Sequence, residues 1–303
     1  MADTISWLQD RLHGEGAPLV IDGGVGTQLE KSGVPMDNKV WSSRAVLSHP
    51  DAVRLAHEEF ISAGAEVIIA NTFAAARHML EPGDLGDRVR DINLDAVKLA
   101  QQARDNVAKE PVAIAGSICE WTSTDDAEWH TPEAVGRSTS EQAGLLAEAG
   151  VDFIALEMCE ETAFSVAAID AALDVGLPLW IGVSARTQKG RTSLSVFTYE
   201  DLDFESLVKV LAQYPAMMMN IMHTPVPDVD AAMTIVKRYW NGPVGIYPES
   251  GYFTMPNWNF VDVIEPDELA KTAQTWVANG ARMVGGCCGL GPEHIAALRM
   301  ALR

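Results

Sequence analysis

Short, densely apolar runs alternate along this chain with longer stretches in which apolar residues recur every three or four positions. The runs are Leu19 to Gly24, Val67 to Thr72, Val112 to Ile118, Phe153 to Met158, Leu177 to Ser184, Ala216 to Met222, Val244 to Tyr247 and Arg282 to Cys287. Most are rich in Val, Ile or Met and do not alternate strictly with polar residues, which is the pattern of strands covered on both faces. Between them, Asp51 to Ala63, Arg88 to Ala108, Ser140 to Ala149, Ala163 to Leu173, Asp230 to Tyr239 and Pro266 to Asn279 read as helices. The intervals are long enough for helices that cross over between parallel strands. Eight such units with no change of composition predict an α/β fold of the (β/α)8 TIM-barrel type, one domain over residues 1–303. An open, doubly wound sheet is the alternative.

A barrel places its chemistry at the C-terminal ends of its strands, and polar residues gather there. The first run ends in Asp22-Gly23-Gly24-Val25-Gly26-Thr27, the second in Asn71-Thr72, the third in Gly116-Ser117-Ile118-Cys119-Glu120 and the fourth in Glu157-Met158-Cys159. Ser184 ends the fifth, Asn220 the sixth with His223 just beyond, and Tyr247-Pro248-Glu249-Ser250-Gly251 the seventh. The eighth closes on Gly285-Gly286-Cys287-Cys288-Gly289. Adjacent side chains on an extended strand point apart, so two neighbouring cysteines converge on one ion only where the backbone kinks, as flanking glycines permit. Two thiolates suit zinc, with further positions left for another ligand and a substrate; the plainer reading is a pair of small buried side chains.

Asp22 and Glu157 stand on apolar strands, where a carboxylate needs a partner. Either they hold a cationic group such as a substrate ammonium, or they cap backbone amides or pair with an internal arginine. The glycine run after the first strand lacks the spacing of a dinucleotide fingerprint, and no phosphate-loop lysine follows it. Met217, Met218, Met219 and Met222 read as core before they read as a thioether cluster. His57, in a helix beside Glu58 and Glu59, reads as structural or solvated, and Trp41 and Trp121 fall in loops over the barrel mouth.

With 48% hydrophobic and 21% charged residues, the chain has the composition of an ordinary globular protein. Acidic residues outnumber basic ones 42 to 22, a formal charge of −20, which repels phosphate backbones and anionic lipids. Nucleic acid and membranes are therefore excluded as expected partners. So large an excess fits a salt-rich habitat and a merely solvated surface equally well. No run approaches a bilayer span, and Met1-Ala2-Asp3-Thr4 lacks the layout of a signal peptide. Cys119, Cys159, Cys287 and Cys288 make no disulfide framework, so free thiols in the cytoplasm are expected.

The Asp22-Gly23-Gly24-x-Gly26-Thr27 segment, Ala63-Gly64-Ala65 before Asn71-Thr72-Phe73, Gly116-Ser117, Asp152 to Glu157 and Tyr247-Pro248-x-Ser250-Gly251 occur in one order. They are followed by the glycine-bounded cysteine pair and Pro292-Glu293-His294-Ile295. From about residue 19 onward this set resembles the homocysteine S-methyltransferase family. The resemblance implies a zinc-dependent barrel that moves a methyl group from a sulfonium or quaternary-ammonium donor to a small thiol, homocysteine, to give methionine. It implies Cys287 and Cys288 as zinc ligands, Asp22 and Glu157 as contacts to the amino-acid ammonium, and Thr72 and Ser117 as pocket donors. The length resembles single-barrel enzymes that use S-methylmethionine or S-adenosylmethionine.

One position departs from the family. Its third zinc ligand is a cysteine directly after an asparagine at the end of the sixth strand, and here Ile221 follows Asn220. Isoleucine binds no metal. Two residues on, His223 offers an imidazole for a Cys-Cys-His site, and Glu249, where the family often has asparagine, offers a carboxylate to the same space. Leu290-Gly291 also stands where the family usually carries threonine. Three readings result: a zinc-dependent homocysteine S-methyltransferase with His223 as third ligand; a divergent relative with a changed donor or acceptor, such as a methyl-donor demethylase; and a metal-free small-molecule binding barrel. The pattern specifies no oligomeric state.

Overall fold

In the computed structural model, which describes residues 2–121 and 128–303, the apolar runs form eight strands. These are β1 (Leu19–Val20), β2 (Val67–Ile69), β3 (Ala113–Cys119), β4 (Phe153–Cys159), β5 (Leu179–Val183), β6 (Met218–Pro225), β7 (Val244–Glu249) and β8 (Ala281–Val284). All pair in parallel, in the order β1-β8-β7-β6-β5-β4-β3-β2. A parallel bridge between Ile21 and Val67 joins the two ends of that order, so the sheet closes into a barrel and the open-sheet alternative falls. The closing seam is also held by Glu66, which accepts the Val20 N–H at 3.1 Å and pairs with Arg11 at 2.5 Å and Arg299 at 2.9 Å.

Side chains alternate between two apolar layers. Ile21, Ala115, Ala155, Trp180, Met218, Met222 and Met283 fill the barrel, while Val20, Ile114, Ile154, Ile181, Met219, Ile221 and Val284 pack outward against the helices. Met218 and Met219 thus lie in opposite layers, which makes the methionine run plain core. Pro50–Ala63, Val89–Val107, Thr162–Leu173, Val229–Tyr239 and Pro266–Ala278 are helices within a residue of the expected bounds, and Pro132–Ala149 is a helix that ends where expected. Thr131 accepts the Ala134 N–H at 3.2 Å and starts Pro132–Ala149 eight residues before the expected Ser140.

The helix Ala2–His13 was not expected. Its Leu8 and Leu12 join the inner layer with Leu19, Val67, Ala113 and Phe153, the first residues or near-first residues of their strands, so it closes the N-terminal end of the barrel. Among the described residues no helix is long and apolar enough to cross a membrane.

His57 is fully buried in Pro50–Ala63, and neither ring nitrogen has a hydrogen-bond partner. Burial lowers its pKa from 6.5 to about 4. The folded state therefore binds fewer protons here than the unfolded chain, and the associated stability is present above pH 6.5 and lost as pH falls through about 4. His57→Leu is expected to flatten the acid limb of the stability curve by up to about 3 kcal/mol, read from denaturant titrations across that range. An acid limb identical in wild type and variant would refute this.

Candidate metal centre and substrate cavity

Beyond β8 the chain turns sharply through Gly285–Gly289, and backbone hydrogen bonds fix that turn to the ends of β1 and β7. Gly286 N donates to Asp22 O at 3.0 Å, Cys287 N to Pro248 O at 2.8 Å, Ser250 N to Cys288 O at 3.0 Å and Gly24 N to Leu290 O at 3.1 Å. A Cβ at Gly24 would lie 2.7 Å from Cys287 O, so the glycines after β1 let two backbones meet. Gly289 takes a left-handed φ of 84°, where a Cβ would sit 1.8 Å from Ser250 O. The kink that two adjacent cysteines require is built by these two loops together.

Strand β6 brings the third group. Asn220 and Met222 share the inward parity of Met218, whereas Ile221 is fully buried on the outer face against the helices. This corrects the expectation that Ile221 occupies the place of a metal ligand: its side chain is on the wrong side of the strand. Simple alternation would send His223 outward too. The β6–β7 register instead shifts between Met222 and Pro225, and His223 adopts φ 45°, which together turn its ring onto the mouth of the barrel. Met158, with φ 54° in an irregular end of β4, is turned the same way.

His223 Nδ1 lies 3.5 Å from Cys287 Sγ. The candidate ligand atoms of His223, Cys287 and Cys288 all fall within 4.8 Å of one another; among the described residues this is the one such group of three or more His, Cys, Asp and Glu side chains. Glu249, the alternative carboxylate, is outside it. His223 and Cys288 are buried and Cys287 is half-buried. Burial alone would lower the His223 pKa, but the Cys287 sulfur, Glu249 and Glu160 outweigh it and raise it. The Cys287 thiol is pushed well up by its hydrogen bond to Cys288 and by burial.

A cavity of about 290 Å³ opens beside this group. Glu157 and Ser117 stand in its wall, and the Ser117 hydroxyl donates to Glu157 Oε2. Burial raises the Glu157 pKa against the opposing pull of Ser117 and Tyr247. Asp22 lies fully buried behind the wall. Its Oδ2 accepts the Ile69 N–H at 2.8 Å, and its Oδ1 has no partner. Burial raises the Asp22 pKa strongly, the charge on Glu157 adds to the rise, and Ile69 offsets part of it. Thr72 does not reach the cavity: its hydroxyl donates to Ser117 O at 2.8 Å and accepts the Ser117 N–H at 3.0 Å, tying β2 to β3.

Trp41 and Trp121 line the cavity, joined by Phe73, Phe197, Phe253 and Trp258, which sequence reasoning did not single out. Trp41 meets Phe73 and Phe253 edge-on at 6.1 and 6.3 Å. Phe253 and Trp258 come from a hairpin, Tyr252–Thr254 with Asn257–Asn259, and Trp258 Nε1 donates to Ser250 O at 3.1 Å. Two further buried acids were also missed. Glu120 accepts the N–H groups of Glu160 and Glu161 at 2.7 and 3.0 Å and is pushed up to about 8 by burial. Glu160 accepts the Thr198 N–H at 2.9 Å and is pushed up to about 7, again by burial. The signal for both was the repeated Cys-Glu step at Cys119-Glu120 and Cys159-Glu160.

The sequence profile of the family described as homocysteine S-methyltransferase matches residues 19–302. The homocysteine S-methyltransferase 3 of Zea mays is 24% identical, with 95% of this chain and 90% of the relative covered. The S-methylmethionine–homocysteine S-methyltransferase of Rattus norvegicus is 27% identical over 93% of this chain and 78% of its own length. The fold is that of the homocysteine methyltransferase MmuM from Escherichia coli in its metallated form: TM-score 0.77, 23% identity, 98% of this chain and 99% of that one covered. With the profile spanning the whole barrel, this chain belongs to the homocysteine S-methyltransferase family and is a methyltransferase.

Proposed function

We propose that the protein is a zinc-dependent S-methyltransferase that moves a methyl group from a small sulfonium or quaternary-ammonium donor to homocysteine, giving methionine. The observation that carries this reading is the convergence of two thiols and an imidazole within 4.8 Å at the wall of a cavity that also holds Glu157. The donor set fits zinc: two soft sulfurs and one nitrogen with room for a fourth ligand. When bound, zinc would lower the pKa of the incoming thiol so that it reacts as thiolate at neutral pH.

The chain's own residues supply the rest. Glu157, with Asp22 behind it, offers two carboxyls to the acceptor's ammonium, and the free Asp22 Oδ1 is a buried polar atom that such a group would satisfy. Trp41, Phe73, Phe253 and Trp258 present ring faces and edges suited to a methylated cation and keep water from the reacting atoms. The acceptor sulfur forms its new bond to carbon as the donor's C–S or C–N bond breaks, and a neutral thioether or amine leaves. Holding both molecules in one cavity turns this into an effectively unimolecular step. At about 290 Å³ the cavity is at the small end of the roughly 300–1,000 Å³ typical of ligand sites, which favours a compact donor over one carrying a nucleoside. Four free thiols support a reducing, cytoplasmic setting.

The test is methionine formation from homocysteine with a donor panel that includes S-methylmethionine, S-adenosylmethionine and glycine betaine, on protein loaded with zinc and on protein stripped by chelator. Turnover with a compact donor, dependent on zinc, is expected. Full activity after stripping, or turnover only with another acceptor, would sink the reading.

A further inference from the structure

Part of the cavity wall is built by a segment that lies outside the barrel strands. After β5 the chain runs out as a short hairpin, Ala185–Thr187 with Leu194–Val196, and returns through Phe197 and Thr198, both of which line the cavity. The Phe197 ring packs on the His223 imidazole at 4.5 Å between centroids, and the Arg186 guanidinium lies 3.8 Å from the Phe197 centroid. Phe197 is half-buried and Thr198 exposed, so burial alone fixes neither.

A run of backbone hydrogen bonds holds the segment, and it ends on a carboxyl. Val196 N donates to Leu202 O at 3.0 Å, Phe197 N to Ser184 O at 3.2 Å and Thr198 N to Glu160 Oε1 at 2.9 Å. Glu160, 4% exposed, directly follows β4, so the last of these bonds ties a segment beyond β5 to the end of the neighbouring strand. Its own backbone is held in turn: Glu120, directly after β3, accepts the N–H groups of Glu160 and Glu161 at 2.7 and 3.0 Å. Two carboxyls thus link the ends of β3, β4 and β5 in one line round the mouth. Burial pushes Glu120 up to about 8 and Glu160 up to about 7, so holding them there opposes stability near neutral pH. Acids kept against such a cost are a mark of functional sites.

We propose that Glu160, its backbone seated by Glu120, is a positioning residue that acts through Phe197: by holding the Thr198 N–H it keeps the Phe197 ring on His223 and in the wall against which the methyl donor lies. This rests on the cavity being the site of methyl transfer. A ring held there shields the imidazole from water and narrows the space left to the donor. Loosening the segment therefore weakens donor binding, while the acceptor's ammonium partners, Glu157 and Asp22, are not on it.

The test uses the zinc-loaded full chain with S-methylmethionine as donor and homocysteine as acceptor. Glu160→Ala is expected to raise the donor KM about tenfold with the homocysteine KM unchanged. Glu160→Gln keeps a carbonyl acceptor for the Thr198 N–H and should stay near wild type. In a Phe197→Ala background, Glu160→Ala should add nothing further, since its effect passes through the ring. Two signatures need no turnover: the His223 ring protons should lose the same ring-current shift in Glu160→Ala as in Phe197→Ala, and the Thr198 amide should exchange faster with solvent in Glu160→Ala. A lowered melting temperature with the donor KM and His223 shifts of the wild type would overturn the proposal, as would effects of Glu160→Ala and Phe197→Ala that simply add. Wild-type protein that makes no methionine from any donor in the panel means that the methyl-transfer reading is wrong, and the ring-current shift then still decides whether Glu160 positions Phe197.

Discussion

Cys287→Ser and Cys288→Ser are each expected to strip zinc from a protein that otherwise carries about one ion per chain, and to slow methyl transfer by roughly a thousandfold, about 4 kcal/mol of transition-state stabilisation. Serine is nearly the same size, so packing is preserved while the soft ligand is lost. Both thiols sit on a turn fixed by backbone bonds from Cys287 N to Pro248 O and from Ser250 N to Cys288 O, which serine leaves intact. Circular dichroism of the metal-free variants should therefore match that of the metal-free wild type. Zinc content by elemental analysis and the single-turnover rate decide the matter. A serine variant that retains both zinc and rate would remove that cysteine from the site.

A second large effect is expected at the acid pair, with opposite signs on binding and on stability. Glu157→Gln and Asp22→Asn should each raise the KM for homocysteine by roughly 10–100-fold, since a charge-assisted hydrogen bond in such a site contributes about 1.5–3 kcal/mol. The same substitutions should raise the melting temperature of the ligand-free protein. Both carboxyls have pKa values raised above their ordinary ones, chiefly by burial, so the folded state prefers them protonated. Their favourable contribution is present below the ordinary carboxyl pKa and is lost as pH rises through the folded-state value, so at neutral pH keeping these two carboxyls buried costs stability. A neutral isostere removes that cost. Unchanged KM in both variants would refute the ammonium role; a lowered melting temperature in both would refute the electrostatic account.

The barrel was legible because strands buried on both faces read as unbroken apolar runs, as Val112 to Ile118 and Leu177 to Ser184 do. Helix ends were harder to read. Thr131 and Pro132 carry the start signal of Pro132–Ala149, yet the polar residues after them hide the periodicity. Ile5, Leu8 and Leu12 have the spacing of one helical face, a signal that lies ahead of the first apolar run. The cysteine pair announced itself by its glycines. The place of His223 did not, since strand parity sends it outward with Ile221, and only a register shift and a left-handed residue reverse that. Thr72 looked like a pocket residue for the opposite reason: its strand-end position was right, but nothing in sequence shows that Ser117 engages its hydroxyl twice.

The order in which the barrel closes has a consequence for the living cell. Strand β1 is made first among the strands, yet its full ladder partner is β8, the last, and Cys287 and Cys288 follow β8 directly. During synthesis on the ribosome the early strands must wait with an unpaired edge until the eighth emerges, a state open to aggregation. The same delay would guard the proposed metal centre, because His223 alone would offer one ligand to a passing ion and the two thiols arrive only once closure is possible. Metal uptake would then mark a finished barrel, and a chain truncated before β8 would be unable either to seal the sheet or to retain zinc.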